Sequence, residues 1–220
     1  VAEKSVSPNH GPRRGGVRPS LIVLHYTAMP SCAEARARLC DPEAEVSAHY
    51  LLSEAGTVEA LVAEEMRAWH AGAGAWRGIS DVNSHSIGIE LANPGDAPFP
   101  EPQMAALEGL LRAVMARWSI GPDGVIAHSD MAPERKCDPG PRFDWRRLAL
   151  GGLSVWPEAG DSSADFLTSL QAFGYPEAPH DALLSAFRLR FRPRVTGPED
   201  TSDRALADGL AQRYSRGRLV

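Results

Sequence analysis

Residues 126–145 read IAHSDMAPERKCDPGPRFDW. His128, Lys136, Cys137 and Asp138 fall within eleven positions, and a Pro-Gly-Pro turn follows them. The segment is neither a clean helix nor a clean strand. Pro139 and Pro141 stiffen its backbone without offering donors. Just before it, GVIAH at 124–128 reads as a short buried strand ending on histidine. A strand end is where a side chain leaves the core and meets a cleft.

Moving outward, LIVLHYT at 21–27 is a second apolar run, with His25 near its end. Residues 32–40 read as a short helix. VSAHYLLSEAGTVEALV at 46–62 reads as a hairpin turning at Ala55-Gly56. HSIGIELAN alternates, with Ile87, Ile89 and Leu91 on one face and Ser86, Gly88 and Glu90 on the other. EPQMAALEGLLRAVMARWSI has helical periodicity, with Met104, Leu107, Leu110, Leu111, Val114 and Trp118 as its core stripe. The opening to about residue 19 is rich in Pro, Gly and Arg and is expected to be irregular. This order of elements predicts an α/β domain with a mixed β-sheet flanked by helices.

Composition changes after Trp145. We expect a domain over 1–150, a linker over 151–162 and a small C-terminal three-helix domain over 163–216. DFLTSLQAFGY, HDALLSAFRLRFRP and TSDRALADGLAQRYS supply the three helices, with Asp165, His180-Asp181 and Thr201-Ser202-Asp203 as candidate N-caps.

At 220 residues the chain is 43% hydrophobic and 23% charged, ordinary for a globular protein. A net charge of −5 argues against a nucleic-acid partner, and the basic FRLRFRPR reads as a helix with a solvated face. No apolar run reaches the ~18 residues of a membrane span. The first twenty residues lack a signal-peptide core, and the three cysteines form no disulfide framework. On a helix, Cys32 and Cys40 would lie ~12 Å apart, too far to bridge. These features favour the cytoplasm, or the periplasm and cell envelope if an export signal has been removed. A monomer is expected.

Two imidazoles and a carboxylate suit a catalytic zinc ion, which takes three protein ligands and keeps a fourth position open. His25, His128 and Asp138 are the candidates, although spacing alone does not bring them together.

LIVLHYTA, VSAHYLL, RAWHAG, SIGIELAN and GVIAHSDMAPERKCDPGPRFDW together resemble the zinc-dependent N-acetylmuramoyl-L-alanine amidases of the type 2 amidase superfamily. These share a fold with peptidoglycan recognition proteins and phage T7 lysozyme. The resemblance runs in order from about residue 7 to 150, and its last block is similar to the anhydro-muropeptide amidase branch. LLSAFRLRFRP resembles part of a C-terminal peptidoglycan-binding-like domain. The resemblance implies Zn2+ held by His25, His128 and Asp138, with Glu90 as general base and acid and Lys136 as oxyanion stabiliser. The chemistry agrees: zinc makes hydroxide available near pH ~7, a carboxylate can shuttle the proton, and an ammonium can meet the developing charge. In an extended segment Lys136 and Asp138 point the same way and Cys137 points away; zinc also accepts thiolate, so Cys137 is the alternative third ligand.

Tyr26, Trp69, His70 and Asn93 are the implied substrate contacts, with Arg77 a candidate clamp for the stem-peptide carboxylate. His70 could instead order a loop, and Asn93 could cap a turn. His49 reads as a packed strand histidine and His85 as a surface one. The implied reaction is hydrolysis of the amide between the lactyl group of N-acetylmuramic acid, or its anhydro form, and L-alanine in peptidoglycan or muropeptides. A muropeptide-binding receptor without turnover and a phage-type endolysin are the competing readings.

Overall fold

A computed structural model describes residues 6–215. Residues 1–5 of the opening stretch and position 216 of the expected helical domain lie outside that range. Along the chain come β1 (His10–Pro12), β2 (Leu21–Tyr26), α1 (Cys32–Cys40), β3 (Tyr50–Leu52), β4 (Val58–Ala60) and β5 (Met66–Ala68). Then follow α2 (Val82–His85), β6 (Ser86–Leu91), α3 (Glu101–Trp118), β7 (Val125–Ala127), α4 (His128–Met131) and α5 (Trp145–Leu150). The chain closes with α6 (Phe166–Phe173), α7 (His180–Phe191) and α8 (Thr201–Tyr214).

Five strands form one mixed sheet in the order β4-β3-β6-β2-β7. β3, β6, β2 and β7 run parallel, and β4 returns antiparallel to β3 as the predicted hairpin. One sheet face carries Ile22, Leu24, Ile87, Ile89, Leu91, Val125 and Ala127, packed on α3 and α5. On α3 the stripe Met104, Leu107, Leu111 and Val114 is buried, while Leu110 and Trp118 sit half-buried at its edges.

The other face departs from simple alternation. Ser86 and Gly88 on the supposedly polar side of β6 are buried as well. Parallel strands are normally covered on both faces, and here the second cover comes in two parts. Ala35 and Leu39 of α1 pack on Leu51. Phe166, Leu170, Phe173, Leu183, Phe187 and Leu210, from the three C-terminal helices, pack on Leu21, Val23 and Ile126. The three helices fall where their sequence patterns lie, and they share a core with the sheet. The 151–162 stretch has no regular element, yet its first half is packed: Leu153, Ser154 and Val155 are buried, while Glu158, Ala159, Asp161 and Ser162 are exposed.

Smaller differences have local causes. The opening stretch is not wholly irregular, because β1 pairs antiparallel with β5, His10 lying opposite Ala68 and Pro12 opposite Met66. Asp165 caps α6 through Thr168 N–H, as its position suggests. Pro179 precedes α7, so His180 and Asp181 are not its cap. Asp200 caps α8, and Asp203 completes the box by accepting from the Asp200 N–H. Cys32, Cys40 and Cys137 are all free.

Candidate metal centre

Strand register builds the site. In the parallel pairing His25 lies opposite Glu90, and Val23 lies opposite Ile126. Leu21, Val23 and His25 therefore share one face with Ser86, Gly88 and Glu90. Toward the strand starts, that face is sealed by the C-terminal helices. At the strand ends it opens into a cavity of about 480 Å³ whose lining includes His25, Tyr26, Trp69, His70, Glu90, His128, Lys136 and Asp138. His128 is not the last residue of a strand but the first of α4, and the turn into that helix brings its ring over the strand end.

His25 Nδ1 lies 2.9 Å from His128 Nδ1 and 2.9 Å from Asp138 Oδ2, and His128 Nδ1 lies 3.0 Å from the same oxygen. All three residues are buried. Their outer partners decide where the ring protons sit. Ser86 Oγ donates to Val82 O at 2.6 Å, so at 3.1 Å it accepts from His70 Nε2. That leaves His70 Nδ1 as an acceptor, 3.0 Å from His25 Nε2, which must carry the proton. His128 Nε2 donates to Ala71 O at 2.9 Å. Both imidazoles thus turn proton-free Nδ1 lone pairs toward a carboxylate oxygen.

Three lone-pair atoms at that spacing repel unless a positive charge lies among them. A proton on one Nδ1 could serve, or a metal ion. Donors around a tetrahedral zinc at ~2.0–2.1 Å stand ~3.3 Å apart, close to the observed triangle. The donor set therefore fits such an ion. Its outer bonds are of the type that fix tautomer and ring angle at metal sites.

The electrostatics agree. Burial, then the neighbouring His128, pushes the His25 pKa down to about 4, so the ring is neutral and free to ligate near pH 7. Burial alone would raise the Asp138 carboxyl, but a positive charge among the three donors, a proton shared with His128 or His25 or an ion in its place, holds it well below the carboxylate range. Glu90 is the opposite case. Burial, reinforced by the Asp138 charge and opposed by Lys136, pushes it up to about 8. Its Oε2 is buried with no hydrogen-bond partner among the described residues. A dication nearby would lower that pKa, leaving a carboxylate poised to take and return a proton.

Lys136 is exposed on the cavity rim, and Lys4 is the only other lysine in the sequence. Cys137 turns away from the triad and places Sγ 3.1 Å from the Tyr26 hydroxyl, while Asp138 is the residue that stands with His25 and His128. Tyr26 and Trp69 line the cavity. His70 does too, but both its nitrogens are used inside the protein, which makes it an orienting residue for His25 and not a hydrogen-bonding contact for substrate. Asn93 is not part of the cavity lining. Its carboxamide accepts from Gly95 N–H and donates to Ala97 O, so it caps a turn. Arg77 is no carboxylate clamp either, because it is paired with Asp123 and donates to Phe173 O and Tyr214 O. His49 is buried, accepting from Gly88 N–H and donating to Met66 O. His85 is half-buried against Asp81 O.

Sequence reasoning missed Ser86 and Asn83. Asn83 Oδ1 accepts from the N–H groups of His70 and Ala71 and so places both the His70 ring and the carbonyl that His128 uses. The available signal was position: Ser86 shares the strand face of Glu90. Arg135 was missed as well; it donates to Ala71 O and Ala73 O, pinning the loop that faces His128.

Residues 15–141 match the family model described as N-acetylmuramoyl-L-alanine amidase, a span that includes the two imidazoles, Glu90 and Asp138. The chain belongs to that family. Like its relatives, it is an N-acetylmuramoyl-L-alanine amidase, an enzyme. The N-acetylmuramoyl-L-alanine amidase AmiD of Escherichia coli K12 is 35% identical over 236 residues, covering 90% of this chain and 84% of that protein. The 1,6-anhydro-N-acetylmuramyl-L-alanine amidase AmpD of Enterobacter cloacae is 34% identical and covers 64% of this chain and 85% of that protein. Escherichia coli AmiD in complex with anhydro-N-acetylmuramic acid-L-Ala-D-gamma-Glu-L-Lys superposes with a TM-score of 0.84 at 34% identity, covering 93% of each chain. Pseudomonas aeruginosa AmpDh3 with an anhydromuramic pentapeptide gives 0.81 at 31% identity, over 92% of this chain and 95% of that one.

Proposed function

We propose that this amidase is zinc-dependent and hydrolyses the amide joining the lactyl group of N-acetylmuramic acid, or its 1,6-anhydro form, to L-alanine of the stem peptide. The observation that carries the reading is the set of three proton-free donors beside a carboxyl whose Oε2 is buried and unpartnered, in an open cleft. The substrate in the AmiD complex, an anhydro-muramyl tripeptide, and the anhydromuramic pentapeptide bound to AmpDh3 support the same bond. When bound by His25, His128 and Asp138, zinc supplies Lewis acidity, polarising a carbonyl and bringing the pKa of a water toward ~7.

The protein's own groups do the rest. Glu90 takes the proton of the attacking water and delivers it to the departing alanine amine. Lys136, on the rim, offsets negative charge developing on the carbonyl oxygen. Tyr26 and Trp69 wall the cleft and orient the muropeptide. A receptor without turnover would have no use for a raised-pKa carboxyl facing the triad.

The test is mass spectrometry of products after zinc-loaded protein meets soluble muropeptides and intact sacculi. Free peptides beginning with L-alanine are expected, and Glu90→Gln should lower their rate by ~10²–10⁴ while still binding zinc. Release from soluble anhydro-muropeptides alone would fit a cytoplasmic recycling enzyme; release from sacculi would fit the envelope. Zinc bound without cleavage of either substrate would overturn the proposal.

A further inference from the structure

Asp130 stands two residues beyond His128 and is completely buried. So is Arg190, which arrives from α7, sixty residues downstream. Arg190 Nη1 pairs with Asp130 Oδ2, and Nη2 donates to Val125 O at 2.9 Å and to Ser154 Oγ at 3.1 Å. Tyr175, between α6 and α7, donates to Asp130 Oδ1 at 2.6 Å. The Arg190 guanidinium also lies 4.4 Å from the Trp145 ring centroid. One side chain from the C-terminal helices therefore grips β7 before His128 and α4 after it.

An apolar contact would bury these helices equally well. Buried ion pairs contribute little net stability over hydrophobic replacements, because desolvation offsets their attraction. What this pair adds is direction, since one planar guanidinium is shared between Asp130 Oδ2, Val125 O and Ser154 Oγ, which fixes its angle as well as its distance. Arg188 and Arg192 provide a comparison: both pair with Asp203 and stay within the C-terminal part. Only Arg190, of the three, reaches the segment that carries a ligand.

We propose that the Arg190–Asp130 pair makes the C-terminal helices a positioning element of the metal centre, holding the 125–130 segment so that His128 Nδ1 faces the ion. This rests on the zinc reading above. The helices then serve the catalytic site from within the core, whatever else they touch.

The experiment uses the full chain. Zinc affinity of the metal-stripped protein is measured by competition with a chromophoric chelator, alongside kcat and KM on a soluble muropeptide. Arg190→Met should weaken zinc by ~10–100-fold, as loss of outer-shell support does elsewhere, and should lower kcat with KM within about twofold. Arg188→Met is the control: it should lower Tm yet leave zinc affinity within about twofold. The inference is overturned if Arg190→Met keeps parental zinc affinity, or if Arg188→Met weakens zinc as much. Should Arg190→Met fail to fold, Tyr175→Phe removes one hydrogen bond to Asp130 and is expected to weaken zinc about threefold or more; no change would overturn the inference. A parent that binds no zinc overturns this inference and the zinc reading together. A parent that binds zinc, with variants matching it, sinks the inference alone.

Discussion

His70→Leu isolates the tautomer argument on which the metal centre rests. In the parent, His25 Nε2–H donates to His70 Nδ1 at 3.0 Å, which keeps His25 Nδ1 free of a proton. Leucine removes the acceptor while filling much of the space. The Nε2–H is then buried and unpaired, a cost of about 1–3 kcal/mol. The ring can escape that cost by moving its proton to Nδ1, where Asp138 Oδ2 waits at 2.9 Å. That proton would occupy the metal's position. Zinc binding must then pay back the difference, which at ~1.4 kcal/mol per decade predicts affinity weaker by ~10–100-fold. Chelator competition on the metal-stripped protein measures it directly. His70→Gln, whose carboxamide oxygen can accept the same hydrogen bond, should recover part of the loss. If His70→Leu holds zinc within twofold of the parent, the assignment of ring protons is wrong.

Gly88 makes a related prediction. A Cβ at this position would lie 2.4 Å from the His70 ring, which is pinned at both nitrogens and cannot swing away. Gly88→Ala should cost ~1–3 kcal/mol of stability by overpacking and weaken zinc as well, read by Tm and the same competition assay. Acid stability tests the buried His49. Burial pushes its pKa down to about 3, so between that value and ~6.5 the unfolded chain binds a proton that the folded chain does not. Stability must therefore fall as pH drops from ~6.5 toward ~3, by at most a few kcal/mol from this group. Urea midpoints against pH should show that slope, and His49→Gln should flatten it; an unchanged slope would exclude His49 as its source.

Much of this protein is legible along the chain because the deciding interactions are local. Buried strands announce themselves as apolar runs, α1 by its run of alanine and arginine, α3 by its periodicity, and the hairpin by its Ala-Gly turn. Residue type also narrowed the candidate ligands: two histidines near strand ends, and an aspartate held by the prolines that follow it. None of that required knowing what lay opposite. Convergence did. The pairing of His25 with Glu90 comes from parallel register between strands about sixty residues apart, and register is set by the packing of both faces.

For the same reason His70, Asn93 and Arg77 could not be placed from sequence. A polar side chain suits a substrate contact, a turn cap or an ion pair equally, until its neighbours are known. The C-terminal helices show the limit most clearly. Their amphipathic patterns identify them as helices, but an apolar stripe says only that it must be covered, not by what. Leu21, Val23 and Ile126 on the sheet answer that question, and Arg190 meeting Asp130 ties the answer to the segment that carries His128. Sequence by itself determined the elements and the chemistry available; tertiary structure decided which side chains share a face, and so which of them can act together.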